Sequence, residues 1–124
     1  MDTERRFLAL FDRYFRPIMG PEMIAAANII GSAPKIARAF PDLADRIKDE
    51  ILKVQKAKYK TPECRNVAIG HALTALNSFY DLITEREAVL NFVKKQLKNS
   101  RQPVANKAGK MLHFLSSGKT SRNP

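Results

Sequence analysis

The most informative part of the chain is residues 61–76, which read TPECRNVAIGHALTAL. Thr61 carries a side-chain oxygen that can accept a hydrogen bond from the first amides of a helix. Pro62 suits the first helical position, because the amide that proline lacks would have no partner there. The apolar residues that follow recur at helical spacing. The stretch therefore predicts a helix that begins at Pro62 and runs to about Ile83.

Parts of this pattern recur every 41 residues along the chain. Pro21, Pro62 and Pro103 are separated by 41 residues each time. The same shift aligns further columns of small or apolar residues, which are Met23 with Cys64 and Ala105, Ala26 with Val67 and Ala108, Ala27 with Ala68 and Gly109, Leu10 with Ile51 and Phe92, and Phe11 with Leu52 and Val93. A period near 40 with two helices in each unit is typical of a helical-hairpin solenoid.

The rest of the chain is also predicted to be helical, since it shows no alternation of apolar and polar residues that would indicate a strand. A first helix begins near Thr3, and a second follows Pro21. We expect Pro34 to kink this second helix or to divide it into two short ones. Thr84 and Glu87 have the spacing of a capping box, which predicts the start of the fifth helix. The residues expected on the buried sides of the third and fifth helices are Leu43, Ile47, Ile51 and Val54, and Val89, Leu90, Phe92, Val93 and Leu97.

On these residues the chain resembles the HEAT-repeat family and its armadillo relatives, whose units are pairs of antiparallel helices. The resemblance covers about residues 3–116 as three units, which are residues 3–40, 42–83 and 84–116. Residues 61–76 and the later segment PVANKAGKMLHFL are similar to the family's second helix, with its leading proline, early arginine and paired small residues. The early arginine occurs only as Arg65. The resemblance implies an all-α protein, a right-handed α-α superhelix of three helical hairpins that acts as a binding scaffold.

Composition limits the class of protein further. The chain has 124 residues, with 22 Lys and Arg against 12 Asp and Glu. We expect one domain over residues 1–116 and a flexible basic tail over residues 117–124. A single cysteine, Cys64, excludes a disulfide framework and suits a reducing compartment, so a cytoplasmic location is expected. No apolar run approaches the roughly 20 residues that cross a bilayer, so no membrane span is predicted.

Signals for catalysis are weak. His71 and His113 have no metal-ligand partners at helical spacing, and His71 is interpreted as a half-buried packing residue. Cys64 lies in an apolar column, where core filling explains it without chemistry. No set of nucleophile, base and orienting group can be assembled. We therefore expect a protein that is not an enzyme and needs no cofactor or metal.

One candidate binding surface is a polar stripe on the helix that begins at Pro62. Helical spacing places Asn66, Thr74, Asn77 and Asp81 opposite the apolar face. In HEAT-like arrays the second helix of each unit lines the concave surface, so the resemblance implies that these four residues face a protein partner. Arg65 falls within the apolar face, and we expect it to reach carbonyls or a carboxylate of a neighbouring unit.

A second candidate surface, here named the basic edge, consists of two clusters at corresponding ends of helices. The clusters are Lys53, Lys56, Lys58 and Lys60, and Lys94, Lys95, Lys98 and Arg101, and Lys107 and Lys110 extend them. Rows of Lys and Arg suit phosphate contacts, but cations near helix C-termini are also favoured without any ligand. The leading hypothesis is a scaffold that binds a protein partner. The alternative is sequence-independent binding of DNA or RNA through the basic edge.

The ends of a short array should expose apolar residues. We expect exposed rings at Phe7, Phe11 and Phe15 on one side, and exposed Met111 and Phe114 on the other. Capping units are usually polar outside, so this exposure predicts self-association.

Overall fold

A computed structural model describes residues 2–116, with side chains from Arg5 onward. The predicted tail, residues 117–124, lies outside the described residues. The helices are α1 (Asp2–Phe15), α2 (Met23–Ala39), α3 (Ala44–Leu52), α4 (Pro62–Ser78), α5 (Glu87–Gln96) and α6 (Gln102–Ser116). Short 3-10 turns occur at Arg16–Met19, Pro41–Leu43, Lys53–Lys56 and Tyr80–Leu82. The described part of the chain contains no strand, so the all-α prediction is confirmed.

The even-numbered helices pack in chain order. Helix α2 packs against α4, and α4 packs against α6. Helix α3 packs against α4 and α5, and α5 packs against α6. Helix α1 is held by aromatic contacts, because Phe7 stacks on Phe40 and the guanidinium of Arg46 lies 4.4 Å from the ring centre of Phe11. These contacts form one continuous core. Grooves lie between α2, α4 and α6 on the face that these three helices share.

Two ion pairs repeat with the period seen in the sequence. Lys60 lies 3.8 Å from Glu22, and Arg101 binds Glu63. Each residue of the second pair stands 41 positions after its counterpart in the first. The turn before α4 therefore contacts the start of α2 in the same way as the turn before α6 contacts the start of α4.

The turn after α1 is fixed to the segment before α4 by backbone contacts. The hydroxyl of Tyr59 donates to the carbonyl of Ile18, and the amide of Lys58 donates to the carbonyl of Met19 at 3.0 Å. Burial raises the pKa of Tyr59 to about 12. Gly20 adopts φ +95° next to this contact.

The start of α4 confirms the sequence prediction. The side chain of Thr61 accepts a hydrogen bond from the amide of Cys64 at 3.1 Å, and Pro62 is the first helical residue. The helix ends at Ser78 rather than near Ile83, because the chain leaves helical geometry at Phe79 and continues as a 3-10 turn. The other two prolines of the repeat are placed differently, since α2 begins two residues after Pro21 and α6 begins one residue before Pro103.

Helix α2 continues through Pro34 as one helix of 17 residues, so a division into two short helices is wrong. Ile30, Ala33 and Ala37 around the proline are fully buried. Packing of this face against α4 holds the helix together despite the lost amide donor.

The capping box predicted at Thr84 and Glu87 is also wrong, because Thr84 is bound to another helix. The hydroxyl and amide of Thr84 and the amide of Glu85 all donate to the carboxylate of Asp45 on α3. Helix α5 starts only at Glu87, without a side-chain cap. Burial alone would raise the pKa of Asp45, but these hydrogen bonds and the charge of Lys48 outweigh it, so the pKa of Asp45 lies below its usual value.

The buried residues confirm most of the predicted helix faces. Leu43, Ile47, Ile51, Val54, Val89, Phe92 and Val93 are buried. Leu97 is 43% exposed, while its neighbour Gln96 is buried and accepts a hydrogen bond from Asn99. Helix α5 ends at Gln96, and Leu97 is its C-cap residue, still in helical geometry, at φ −58° and ψ −26°. The buried side of the helix therefore ends with Gln96 and does not include Leu97.

The prediction of exposed rings at the end of the array is wrong for Phe11 and Phe15, which are each 1% exposed. Phe7 is half-buried against them. At the other end Met111 is 5% exposed and Phe114 is half-buried. Phe11, Phe15 and Met111 therefore expose too little surface to support self-association.

Candidate protein-binding cleft

The polar stripe does not act as one surface, because its two ends are bound within the fold. Asn66 donates to the hydroxyl of Ser100 at 3.2 Å and accepts from the side chain of Asn99 at 3.3 Å, which ties α4 to the turn before α6. Asp81 lies beyond the end of α4, in a 3-10 turn, and pairs with Arg38 at 2.9 Å.

Arg38 was not indicated by the sequence pattern. Its guanidinium donates to both carboxylate oxygens of Asp81 and to the carbonyl of Ser78, so it joins the end of α2 to the end of α4. The hydrogen bond to Asp81 is the main cause of a raised pKa at Arg38. The partners stand 43 residues apart, and no local signal connects them.

The middle of the stripe opens into a cleft between α4 and α6. The volume of this cleft is about 390 Å³. Its lining residues are Leu73, Thr74 and Asn77 from α4, and Lys107, Lys110, Met111 and Phe114 from α6. We refer to it below as the α4/α6 cleft. Of the four predicted residues, the structure brings only Thr74 and Asn77 together here.

The α4/α6 cleft carries positive charge that no lining carboxylate balances. The ammonium group of Lys107 donates to the hydroxyl of Thr74 at 2.7 Å and lies 3.4 Å from the carbonyl of Gly70. Both acceptors are neutral. Lys110 is exposed and forms no ion pair with the side chains of residues 5–116. An anionic group in the cleft would therefore gain attraction without displacing an existing carboxylate.

Two smaller grooves continue the same face. One, of about 340 Å³, lies between α2 and α4 and shares Thr74 with the α4/α6 cleft. The other, of about 180 Å³, lies between α4 and α6 and shares Lys107 with the α4/α6 cleft. Lys35 and Arg101 line them, and neither groove is lined by Asp or Glu. His71 is exposed and borders both, so its interpretation as a half-buried packing residue is wrong.

The basic edge is divided between paired and unpaired cations. Lys53 pairs with Glu50 at 3.0 Å, and Lys60 and Arg101 pair with Glu22 and Glu63. The other members of the two clusters, all exposed, form no ion pair within the described residues; they are Lys56, Lys58, Lys94, Lys95 and Lys98. Lys107 and Lys110, which were expected to extend the clusters, line the α4/α6 cleft.

Both clusters of the basic edge meet the first turns of α4. Arg101 binds Glu63 there. Arg65 donates to the carbonyl of Ala57 at 3.0 Å, which holds the segment of the first cluster. The predicted carbonyl partner of Arg65 is thus found, but in the same sequence unit rather than a neighbouring one.

Among the described residues, no cluster of three or more His, Cys, Asp or Glu has the arrangement of a metal site. None of the helices in the described part of the chain combines the length and apolar character needed to cross a bilayer. Comparison of the chain with protein-family models, curated proteins and solved structures finds no match. Membership of the HEAT-repeat family therefore stays a prediction.

Proposed function

We propose that this chain is a non-catalytic scaffold that binds a protein partner through the face of α2, α4 and α6. Its proposed architecture is a HEAT-like right-handed superhelix of three helical hairpins. The order in which these three helices pack supports the repeat arrangement. The two ion pairs spaced 41 residues apart support it independently.

The α4/α6 cleft is the observation that carries the binding role. Leu73 and Met111 form its floor, at 0% and 5% exposure, and Phe114 is half-buried beside them. Methionine and aromatic side chains are enriched in protein interfaces. Polar and charged groups at Thr74, Lys107 and Lys110 border this apolar surface. An apolar centre with a polar border is the usual organisation of a protein-binding site.

The test compares two single charge reversals on exposed lysines. The parent chain, Lys110→Glu in the cleft and Lys95→Glu on α5 are each used to capture proteins from nuclease-treated lysate of the source cells. We expect a partner that the parent and Lys95→Glu recover equally and that Lys110→Glu recovers about tenfold less, a loss equivalent to about 1.4 kcal/mol. Equal recovery by all three chains, or a loss with Lys95→Glu alone, would contradict binding through the cleft.

A second candidate function is sequence-independent binding of DNA or RNA. The observation that favours it is the group of five exposed lysines on the basic edge without ion pairs among the described residues. Binding of a generic duplex measured across a salt series tests this candidate, because each neutralised phosphate contributes a slope of roughly −0.9 in log affinity against log salt. A slope near zero would exclude it.

A further inference from the structure

We propose that the α4/α6 cleft receives an acidic amphipathic α-helix of the partner protein. The proposal rests on the scaffold function given above and adds the chemistry of the partner. It follows from the charge, the shape and the length of the cleft, and from the segments of this chain that do not fit it.

Charge complementarity favours an acidic partner segment. Lys107 and Lys110 lie in the cleft, and no Asp or Glu lines it or either adjoining groove. Lys107 is held by two neutral oxygens, from Thr74 and Gly70, so its charge is positioned but not balanced. Carboxylates that approach along α6 would meet both ammonium groups at the border of an apolar surface, where solvent screens them less than in open water.

The dimensions of the cleft favour a helix. Its lining residues on α6 run from Lys107 to Phe114, two turns and about 10 Å along the helix axis. Apolar anchors at positions i, i+3 or i+4, and i+7 of a bound helix span the same distance. A peptide that binds by strand addition pairs its backbone with a sheet edge, and the described residues contain no strand.

The chain itself does not supply a suitable occupant. Residues 117–124 contain Lys119 and Arg122 and no acidic side chain, so like charges oppose their entry. The acidic helix of this chain is α3, but its apolar residues Ile47 and Ile51 are fully buried in the core. Within residues 5–116, a second copy therefore presents no acidic helix with a free apolar face.

The experiment measures binding of synthetic peptides of about four helical turns by fluorescence anisotropy. One peptide carries Leu at i, i+3 and i+7 with Glu on its other faces. A second carries Lys in place of each Glu, and a third has the composition of the first in an order without an apolar face. Each is titrated against the parent, Lys110→Glu, the double variant Lys107→Glu/Lys110→Glu, and the matched control Lys95→Glu/Lys98→Glu on α5.

We expect the acidic amphipathic peptide to bind the parent at least tenfold more tightly than either other peptide. Its affinity should fall about tenfold with Lys110→Glu and further with the cleft double variant, and less than threefold with the α5 control. The basic amphipathic peptide should bind the cleft double variant better than the parent. Lys110 makes no hydrogen bond within the described residues, so Lys110→Glu tests the proposal even where loss of the Lys107 contacts unfolds the double variant.

Three outcomes would overturn the proposal. The scrambled acidic peptide could bind as tightly as the amphipathic one, or the α5 control could weaken binding as much as the cleft variants; either result would show attraction by overall positive charge alone. A partner captured from lysate through Lys110 that the acidic peptide does not displace would also refute it, while leaving the scaffold function intact.

Discussion

Replacement of Gly20 by alanine tests the contact that joins the turn after α1 to the segment before α4. Gly20 has φ +95° and ψ −174°, a backbone region that residues other than glycine rarely occupy. A Cβ atom at this position would lie 2.3 Å from the carbonyl oxygen of Lys58 and 2.9 Å from its carbonyl carbon. Both are backbone atoms, so no side-chain rotation relieves the overlap.

The expected loss has two parts. Holding a non-glycine residue in this backbone region costs about 1–3 kcal/mol. Moving Lys58 away would weaken the hydrogen bond that its amide donates to Met19 at 3.0 Å, which contributes about 1 kcal/mol. We expect Gly20→Ala to lower the free energy of unfolding by about 2–4 kcal/mol.

The assay is urea unfolding followed by circular dichroism, with Gly31→Ala as the matched control. Gly31 is exposed within α2, and its Cβ would have no atom within 4 Å. Alanine at this helical position should raise the free energy of unfolding by about 0.5–1 kcal/mol. If Gly20→Ala is as stable as the parent, or if both variants lose the same stability, the described contact between the two segments is incorrect.

Three further predictions concern pH and surface charge. Because the pKa of Tyr59 is raised to about 12, its phenol favours folding below about pH 10, and the stability advantage of the parent over Tyr59→Phe should decline between about pH 10 and 12 in urea titrations. The pKa of Asp45 is lowered, so its contribution to the free energy of unfolding is present above about pH 4 and is lost on acidification. Asp45→Asn should therefore lower the free energy of unfolding by about 1 kcal/mol at neutral pH and by less as the pH falls. A difference that stays constant with pH would contradict the assignment. Replacing Lys94, Lys95 and Lys98 together by Gln should change the midpoint of thermal unfolding little, because all three are exposed, and should flatten the salt dependence of any duplex binding.

Structural features that depend on only one or two helical turns could be predicted from the sequence. Thr61 caps α4 and Pro62 begins it, since both roles depend only on the next few amides. Lys94 and Lys95 are exposed as the apolar pattern of α5 predicts. The 41-residue period has a counterpart in the repeated ion pairs, which arise where the same turn recurs.

Contacts with a distant segment of the chain could not be predicted from the sequence. Thr84 and Glu87 have the spacing of a cap, but the hydroxyl of Thr84 is bound by Asp45, 39 residues earlier. Phe11 and Phe15 are buried because α1 packs onto the rest of the core, a placement that periodicity does not specify. At Thr84 a contact between elements overrides a local preference, whereas at Phe11 and Phe15 such a contact buries an apolar helix face that was expected to be exposed at the end of the array.

In the candidate site, too, local features could be predicted and contacts between helices could not. Thr74 and Asn77 could be placed on a polar stripe from helical spacing alone. The period aligns Lys107 with Asn66, yet its ammonium group reaches Gly70 and Thr74, one and two turns further along α4. The axial offset between packed helices decides this contact, and the sequence repeat contains no information on it.

Site-specific photo-crosslinking distinguishes most directly between the cleft and the basic edge. A photoreactive amino acid is introduced at Lys110 in one chain and at Lys95 in another, because both are exposed lysines on helices and differ in the surface they occupy. The scaffold function predicts a protein adduct from position 110 that survives nuclease treatment, and little or none from position 95. Adducts formed only from position 95 and removed by nuclease would contradict it and would assign the binding role to nucleic acid.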